Sequence, residues 1–238
     1  MIFFTLSLFA CQEEEQAQNI ETEDTALLED TENTENTENT ENTENTENTE
    51  EPEEACELPD YSPNPFISEV VSISYGEGAG FGQEAFPDII FGAPEGRGEG
   101  AGSLDVLSLG AGGEIVISFD NIDIVDQDGV DFIVFENPFL GWVEIGIVSA
   151  SQDGENWVEW PCSLESFESC AGVQPVYSNT SNCIDARDFA LSGGDGFDLK
   201  DVGLDWAQFI KITDANVSGL GGFDLDSIAI VNGVLLED

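Results

Sequence analysis

Residues 114–119 read EIVISF and residues 131–136 read DFIVFE. In the first run Ile115, Ile117 and Phe119 alternate with Glu114, Val116 and Ser118, a period of two that predicts a strand with one buried face. In the second, apolar residues occupy both parities, as in a central strand covered on both sides. Further short apolar runs extend the pattern. Upstream lie EVVSISY (69–75), DIIFG (88–92) and LDVLSL (104–109); downstream lie VEIGIVSAS (143–151), WVEW (157–160), AQFIKIT (207–213) and DSIAIV (226–231). No segment carries a long apolar stripe at helical spacing. Glycine clusters at 76–82, 92–102, 110–113, 193–196 and 219–222 supply turns between the runs. Many short strands joined by glycine-rich turns predict an all-β domain over 58–238, a β-sandwich.

Ahead of that domain the composition changes. The chain opens on MIFFTLSLFA (1–10), which ends at Cys11. A bilayer-spanning helix needs about 20 apolar residues, so this run is too short for one. It matches the h-region and small-residue cleavage site of a secretory signal peptide. LFAC (8–11) resembles a bacterial lipobox, which implies cleavage before Cys11 and lipidation of that cysteine. Attached acyl chains contribute about 0.8 kcal/mol per buried methylene, enough in pairs or threes for stable anchoring. No Lys or Arg precedes the apolar run, so the charged n-region of such a signal is missing; an ordinary apolar N-terminus is the other reading. Gln12, in place of an aspartate, favours the outer membrane among lipoproteins it resembles. From Thr31 to Glu50 the tripeptide TEN repeats. That repeat has nothing apolar to bury and its like charges repel, so residues 11–57 are expected to form a lipidated, disordered acidic stalk. As a flexible chain the stalk would average roughly 35–40 Å end to end, which gives the domain reach.

Acidic residues number 51 and basic ones four (Arg97, Arg187, Lys200, Lys211), for a net charge of −47. Such a balance excludes nucleic acid and anionic headgroups as partners and leaves cations, neutral sugars and basic surfaces. Of five cysteines, Cys11 is assigned to lipid. Cys56, Cys162, Cys170 and Cys183 are expected to pair in an exported chain, where four cysteines allow three connectivities. The favoured pairing is Cys162–Cys170, a short local loop, which leaves Cys56 with Cys183. A zinc site is the alternative, without a CxxC spacing or any histidine to support it.

Several pieces carry a resemblance. VSASQDGENWVEW (148–160) resembles the strand, Asp-Gly turn and tryptophan of discoidin-like, galactose-binding-like jelly rolls. AQFIKITDAN (207–216) and GFDLDSIAIVN (222–232) are similar to later strands of the same fold. Across 60–232, GFGQEAFPDIIFGAP, GVDFIVFENPF, CAGVQPV, GGDGFDLKDVGL and GFDLDSIAI resemble, in order, a bacterial family described as cell surface proteins. The resemblance implies a jelly-roll β-sandwich and a surface location; it implies no catalytic residues. A binding role taken from the galactose-binding-like likeness is an analogy of fold.

The absence of histidine removes Ser-His-Asp and Cys-His nucleophile systems and a side-chain base titrating near neutrality. No G-x-S-x-G or phosphate-loop motif occurs. Catalysis by two carboxylates stays open, with no pair singled out. The stretch DIVDQDGVDFIVFEN (123–137) sets Asp126, Asp128 and Asp131 ahead of an apolar strand. Its spacing departs from an EF-hand, and two readings remain. Either Asp128–Gly129 is a polar turn, or the aspartates hold Ca²⁺, which takes six to eight oxygens. GGDGFDL (193–199) and GGFDLDS (221–227) echo one another, so Asp195, Asp198, Asp224 and Asp226 are expected near one sheet end. Asp224 and Asp226 share strand parity and form a second candidate metal pair. Trp142, with Glu136 and Asn137, is the candidate ligand-binding group, because sugars need a flat apolar face beside polar groups. Trp157 and Trp160 are divided between core and surface, and Trp206 reads as a core plug. The expectation is a lipid-anchored protein of the bacterial outer membrane or cell surface, whose non-catalytic domain binds a glycan or surface protein with calcium. A structural coat protein and a carboxylate-based glycoside hydrolase are the alternatives.

Overall fold

The computed structural model describes residues 56–236, so the expected signal peptide, Cys11 and the TEN repeat lie outside the described residues. The described part is all-β and sandwich-like, with antiparallel sheets and almost no helix. Thirteen strands follow in order: β1 (Glu69–Ser74), β2 (Leu107–Ser108), β3 (Glu114–Ser118), β4 (Ile122–Val125), β5 (Phe132–Phe135), β6 (Gly146–Ser151), β7 (Trp157–Glu159), β8 (Asp195–Phe197), β9 (Trp206–Ala207), β10 (Phe209–Asp214), β11 (Asp224–Leu225), β12 (Ser227–Ile230) and β13 (Gly233–Leu235). One helical turn, α1 (Phe189–Ser192), precedes β8. The largest sheet has the order β1-β3-β10-β6-β7; smaller sheets are β12-β5-β8, β13-β4-β9 and β11-β2.

β3 and β5 carry the core. Ile115 and Ile117 of β3 are fully buried, as their alternation predicts, and pack with Ile210 and Ile212 of β10 and Val148 of β6. Val116 and Ser118, expected to face solvent, are buried too. They sit mid-sheet, where Val116 is paired with Lys211, and Ser118 donates a hydrogen bond to Glu69. In β5 every residue is buried. Phe132 and Val134 face the main core with Ile228 and Ile230 of β12, and Phe132, Trp160 and Phe197 form an aromatic trio with centroids 5.2–5.5 Å apart. The other face, Ile133 and Phe135 with Ala229, packs under a second cluster holding Phe66, Val176 and Ala186.

That second cover is a strap formed by the start of the domain. Phe66 bridges to Ala229, Pro65 O accepts a hydrogen bond from Ile230 N, and the Tyr61 hydroxyl accepts one from Ala186 N. The Arg187 guanidinium lies 5.0 Å from the Tyr61 ring centroid. The strap is tied down covalently by Cys56–Cys183, and Cys162–Cys170 closes the local loop, so both expected pairs are present. Two disulfides fit an oxidising, extracellular environment. Among the described residues no helix is long and apolar enough to cross a membrane.

Some elements differ from the sequence expectation. Asp88–Ile90 is a 3-10 turn, because the following glycine at φ 98° breaks the extended run at once. β4 lies inside the stretch read as an acidic loop; Ile122 and Ile124 are buried and Asp123 and Val125 half-buried, an alternation the aspartates hid. β8 has the turn-like sequence Asp-Gly-Phe, yet a Cβ at Gly196 would lie 2.7–2.8 Å from Val130 and Phe189 side-chain atoms, so only glycine lets the strand approach.

Loop entropy separates the two disulfides, whose sequence separations are 127 and 8. Removing Cys56–Cys183 by double serine substitution is expected to destabilise the domain by about 2 kcal/mol more than removing Cys162–Cys170. Urea midpoints of the two double variants check this; equal losses would mean that the strap contributes little to native cohesion.

Candidate functional site

The segment between β4 and β5 turns at Gly129, whose φ is 95°, and delivers Asp131 into the interior, fully buried. Its carboxylate is well supplied with donors. Oδ1 accepts hydrogen bonds from Gln127 N and Asn232 Nδ2, both at 3.0 Å, and Oδ2 accepts one from Leu199 N at 2.8 Å. One side chain therefore joins the β4–β5 loop, the β12–β13 turn and the 3-10 turn after β8. Asp198 caps that last turn by accepting from Lys200 N. Oxygens of Asp126, Asp131 and Asp198 all lie within 4.8 Å of one another. Partial desolvation, then the charges of Asp131 and Asp198, push the Asp126 carboxyl up, while Lys200 opposes them. Asp128, by contrast, is exposed and outside the group. Trp206, 37% exposed and not a core plug, pairs with Val125 next to this loop.

A second acidic group lies at the other end of β5. Glu136 is 1% exposed, and neither carboxylate oxygen has a hydrogen-bond partner. Burial pushes its pKa well above the usual range; the nearby Asn137 N–H, too poorly placed to form a hydrogen bond, opposes this weakly, and Glu144, Asp224 and Asp195 push it further up. Glu144 Oε1 accepts a 3.1 Å hydrogen bond from Trp142 Nε1. Desolvation and the Asp224 charge raise the Glu144 carboxyl to about 7. Asp224 sits opposite Ser108 in the β2–β11 pair; burial raises it and the Ser108 hydroxyl lowers it. No basic side chain contributes to any of the three.

The remaining residues singled out in the sequence have separate duties. Asn137 donates to Ser103 O and packs against Gly102, so its amide is spent on holding the loop before β2. Asp226 does not share a face with Asp224, because the chain leaves one sheet and enters another between β11 and β12. Both Asp226 oxygens accept from Glu95 N, and Glu95 and Asp105 line an open pocket of about 460 Å³ beside it. Asp195 Oδ2 accepts from Gly172 N, Val173 N and Gln174 N, while burial carries its pKa to about 7. The four echo aspartates therefore do not converge. Asp198 joins the Asp131 group, Asp195 and Asp224 both lie among the acidic neighbours of Glu136, and Asp226 stands apart. Trp160 is core, whereas Trp157 is half-buried with Lys211 Nζ 4.8 Å from its ring centroid. Sequence reasoning missed Glu144; its signal was the spacing Trp142–Val143–Glu144, which puts indole and carboxylate on one side of an extended chain.

No family profile matches the chain, and no curated protein is significantly similar to it.

The raised carboxyls make stability depend on pH. A folded-state pKa of about 7 for Glu144 and Asp195, against ordinary unfolded values near 4, means the native state binds more protons between those limits. Stability therefore rises as pH falls from about 8 to 5. Below about 4 it falls again, as Asp185, held low by its Arg187 hydrogen bonds, loses its charge. Urea midpoints in EDTA across pH 3–8 are expected to peak near pH 5; a peak at 7 or above would contradict this electrostatic picture.

Proposed function

We propose that this chain is an exported, lipid-anchored cell-surface protein whose β-sandwich binds an extracellular glycan or surface protein non-catalytically, with Ca²⁺ shaping the binding loops. The observation that carries the reading is the Asp126–Asp131–Asp198 group, three carboxylates with oxygens within 4.8 Å on segments already fixed to one another. Calcium–oxygen bonds of about 2.3–2.6 Å put ligands on opposite sides of the ion roughly 4.6–5.2 Å apart, so the group has the right span for that ion. Asp126 and Asp198 are the half-buried members, and the half-open indole of Trp206 beside Asp126 offers the flat apolar face a sugar ring needs. Export is supported by the two disulfides, and the anchor by the lipobox-like LFAC at 8–11. The resemblance of short sequence motifs to bacterial surface proteins and galactose-binding-like jelly rolls is an analogy of fold in the same direction.

Thermal unfolding in EDTA and then in millimolar calcium tests it. A site saturated about 100-fold adds roughly 2.7 kcal/mol, and at about 2–4 °C per kcal/mol this raises the midpoint by around 5–10 °C. Magnesium is expected to do much less. Substituting Asp126→Asn together with Asp198→Asn should abolish the calcium shift while leaving the midpoint in EDTA nearly unchanged. No calcium shift at all would favour a structural coat protein, and release of reducing sugar from a polysaccharide would favour the carboxylate hydrolase.

A further inference from the structure

We propose a second cation site at the far end of β5, where the buried and unpartnered Glu136 carboxylate, with Glu144 and Asp224 as its acidic neighbours, takes a hard, oxygen-seeking divalent ion. It is independent of the Asp131 group, since β5 separates the two: Asp131 precedes the strand and Glu136 follows it. Over five residues at about 3.3 Å each, they stand roughly 16 Å apart.

The argument starts from Glu136. A carboxylate has about four acceptor positions, and buried polar groups in native structures nearly always use at least one. Glu136 uses none, although it is almost wholly enclosed. The acidic groups around Glu136, Glu144 and Asp224 divide into two kinds. Asp195 and Asp214 are pins: backbone N–H groups of 172–174 occupy the first, and those of Gly112, Asn216 and Phe223 occupy the second. Glu144 and Asp224 are not consumed in this way. Glu144 takes one hydrogen bond, from the Trp142 indole, and no backbone N–H is bonded to the Asp224 carboxylate. Neither ion pair among the described residues involves any of the three. The loop at 219–222 passes close by, with Gly221 against the Glu144 carboxylate.

An orphaned carboxylate facing two under-used ones, with no basic residue contributing, calls for a positive charge from outside the chain. Among the described residues no other trio is as close as that around Asp131, so binding here draws Glu144 and Asp224 inward or places water between them and the ion. Calcium tolerates both, with its six to eight oxygens in flexible geometry. The rival explanation is an uncharged Glu136 that simply holds a proton.

Terbium, a luminescent stand-in for calcium, separates these readings because each group has its own tryptophan neighbour: Trp142 here and Trp206 beside Asp126. Titrating the full chain with Tb³⁺ and exciting tryptophan, we expect one component of the emission to vanish in Trp142→Phe and a different one in Trp206→Phe. Glu136→Gln and Glu144→Gln should each weaken the Trp142 component at least tenfold and leave the Trp206 component alone; calcium should displace both. Asp126→Asn with Asp198→Asn should do the reverse, so failure of the first site and failure of the second give different records. Circular dichroism in EDTA checks that each variant folds, and Glu144→Gln decides if Glu136→Gln does not. Absence of any Trp142-dependent emission, or its survival in both glutamine variants, would overturn the site and leave Glu136 a protonated core residue.

Discussion

Asp131 receives hydrogen bonds from Gln127 N, Leu199 N and Asn232 Nδ2, and through them three separate segments meet at the start of β5. The same device recurs wherever this chain buries an aspartate. Asp195 gathers the N–H groups of 172–174, Asp214 those of Gly112, Asn216 and Phe223, and Asp226 that of Glu95. In a protein with four basic residues against 51 acidic ones, ion pairs cannot neutralise the interior. Backbone N–H groups take over that role, each hydrogen bond to a charged acceptor contributing about 1.5–3 kcal/mol. Loops without regular structure are thereby fastened at fixed points, which is how a glycine-rich chain holds its ends of sheet in register. Glu136 and the inner oxygen of Asp123 are exceptions to the device, for neither accepts a hydrogen bond.

β5 organises what remains. Being buried on both faces, it must be covered twice, once by the large sheet and once by the strap from Tyr61 to Phe66 with the loop around Val176 and Ala186. Its two ends emerge at opposite rims, each with carboxylates and each with a partly exposed tryptophan nearby. One rim is built from Asp126, Asp131 and Asp198, held by hydrogen bonds before any ion arrives. The other is looser, with Glu144 and Asp224 on a loop and a two-residue strand. For the two cation sites proposed above, this difference in preorganisation would make them respond to different cation concentrations, the tighter geometry filling first.

The strands with pure hydrophobic patterns were legible in the sequence, because alternation and double-sided burial are properties of β3 and β5 themselves. β4 and β8 were not: Asp123 interrupts the apolar run of β4, while Asp195 and Gly196 of β8 belong to a hydrogen-bond network and a close approach that only the folded neighbours supply. The sites divide in the same way. Asp126 and Asp131 could be paired from their spacing, while Asp198 joins them from nearly seventy residues away through the β5–β8 pairing. Parity grouped Asp224 with Asp226, and it failed because the chain changes sheets between them. Glu136 and Trp142 were singled out together from the sequence, while Glu144, which takes the Trp142 hydrogen bond and lies among the acidic neighbours of Glu136, had no motif to mark it. Asn137 had the right position in sequence but turned to Ser103 O.

The strap and its disulfide also define how the domain bears load. Tension arriving along the backbone from the N-terminal side reaches Cys56 first, and the covalent link carries it directly to Cys183. The contacts from Tyr61 to Phe66, which shield the outer face of β5, are thereby spared from being peeled away one after another. Force enters instead in the 179–186 region, where the short turns are closed by Asn179, Asn182 and Ser178 hydrogen bonds. While the bridge is oxidised the domain is gripped at an interior point of its chain; once reduced, it can be unzipped from its leading edge. The redox state of one cystine thus sets the direction from which this fold can be pulled apart.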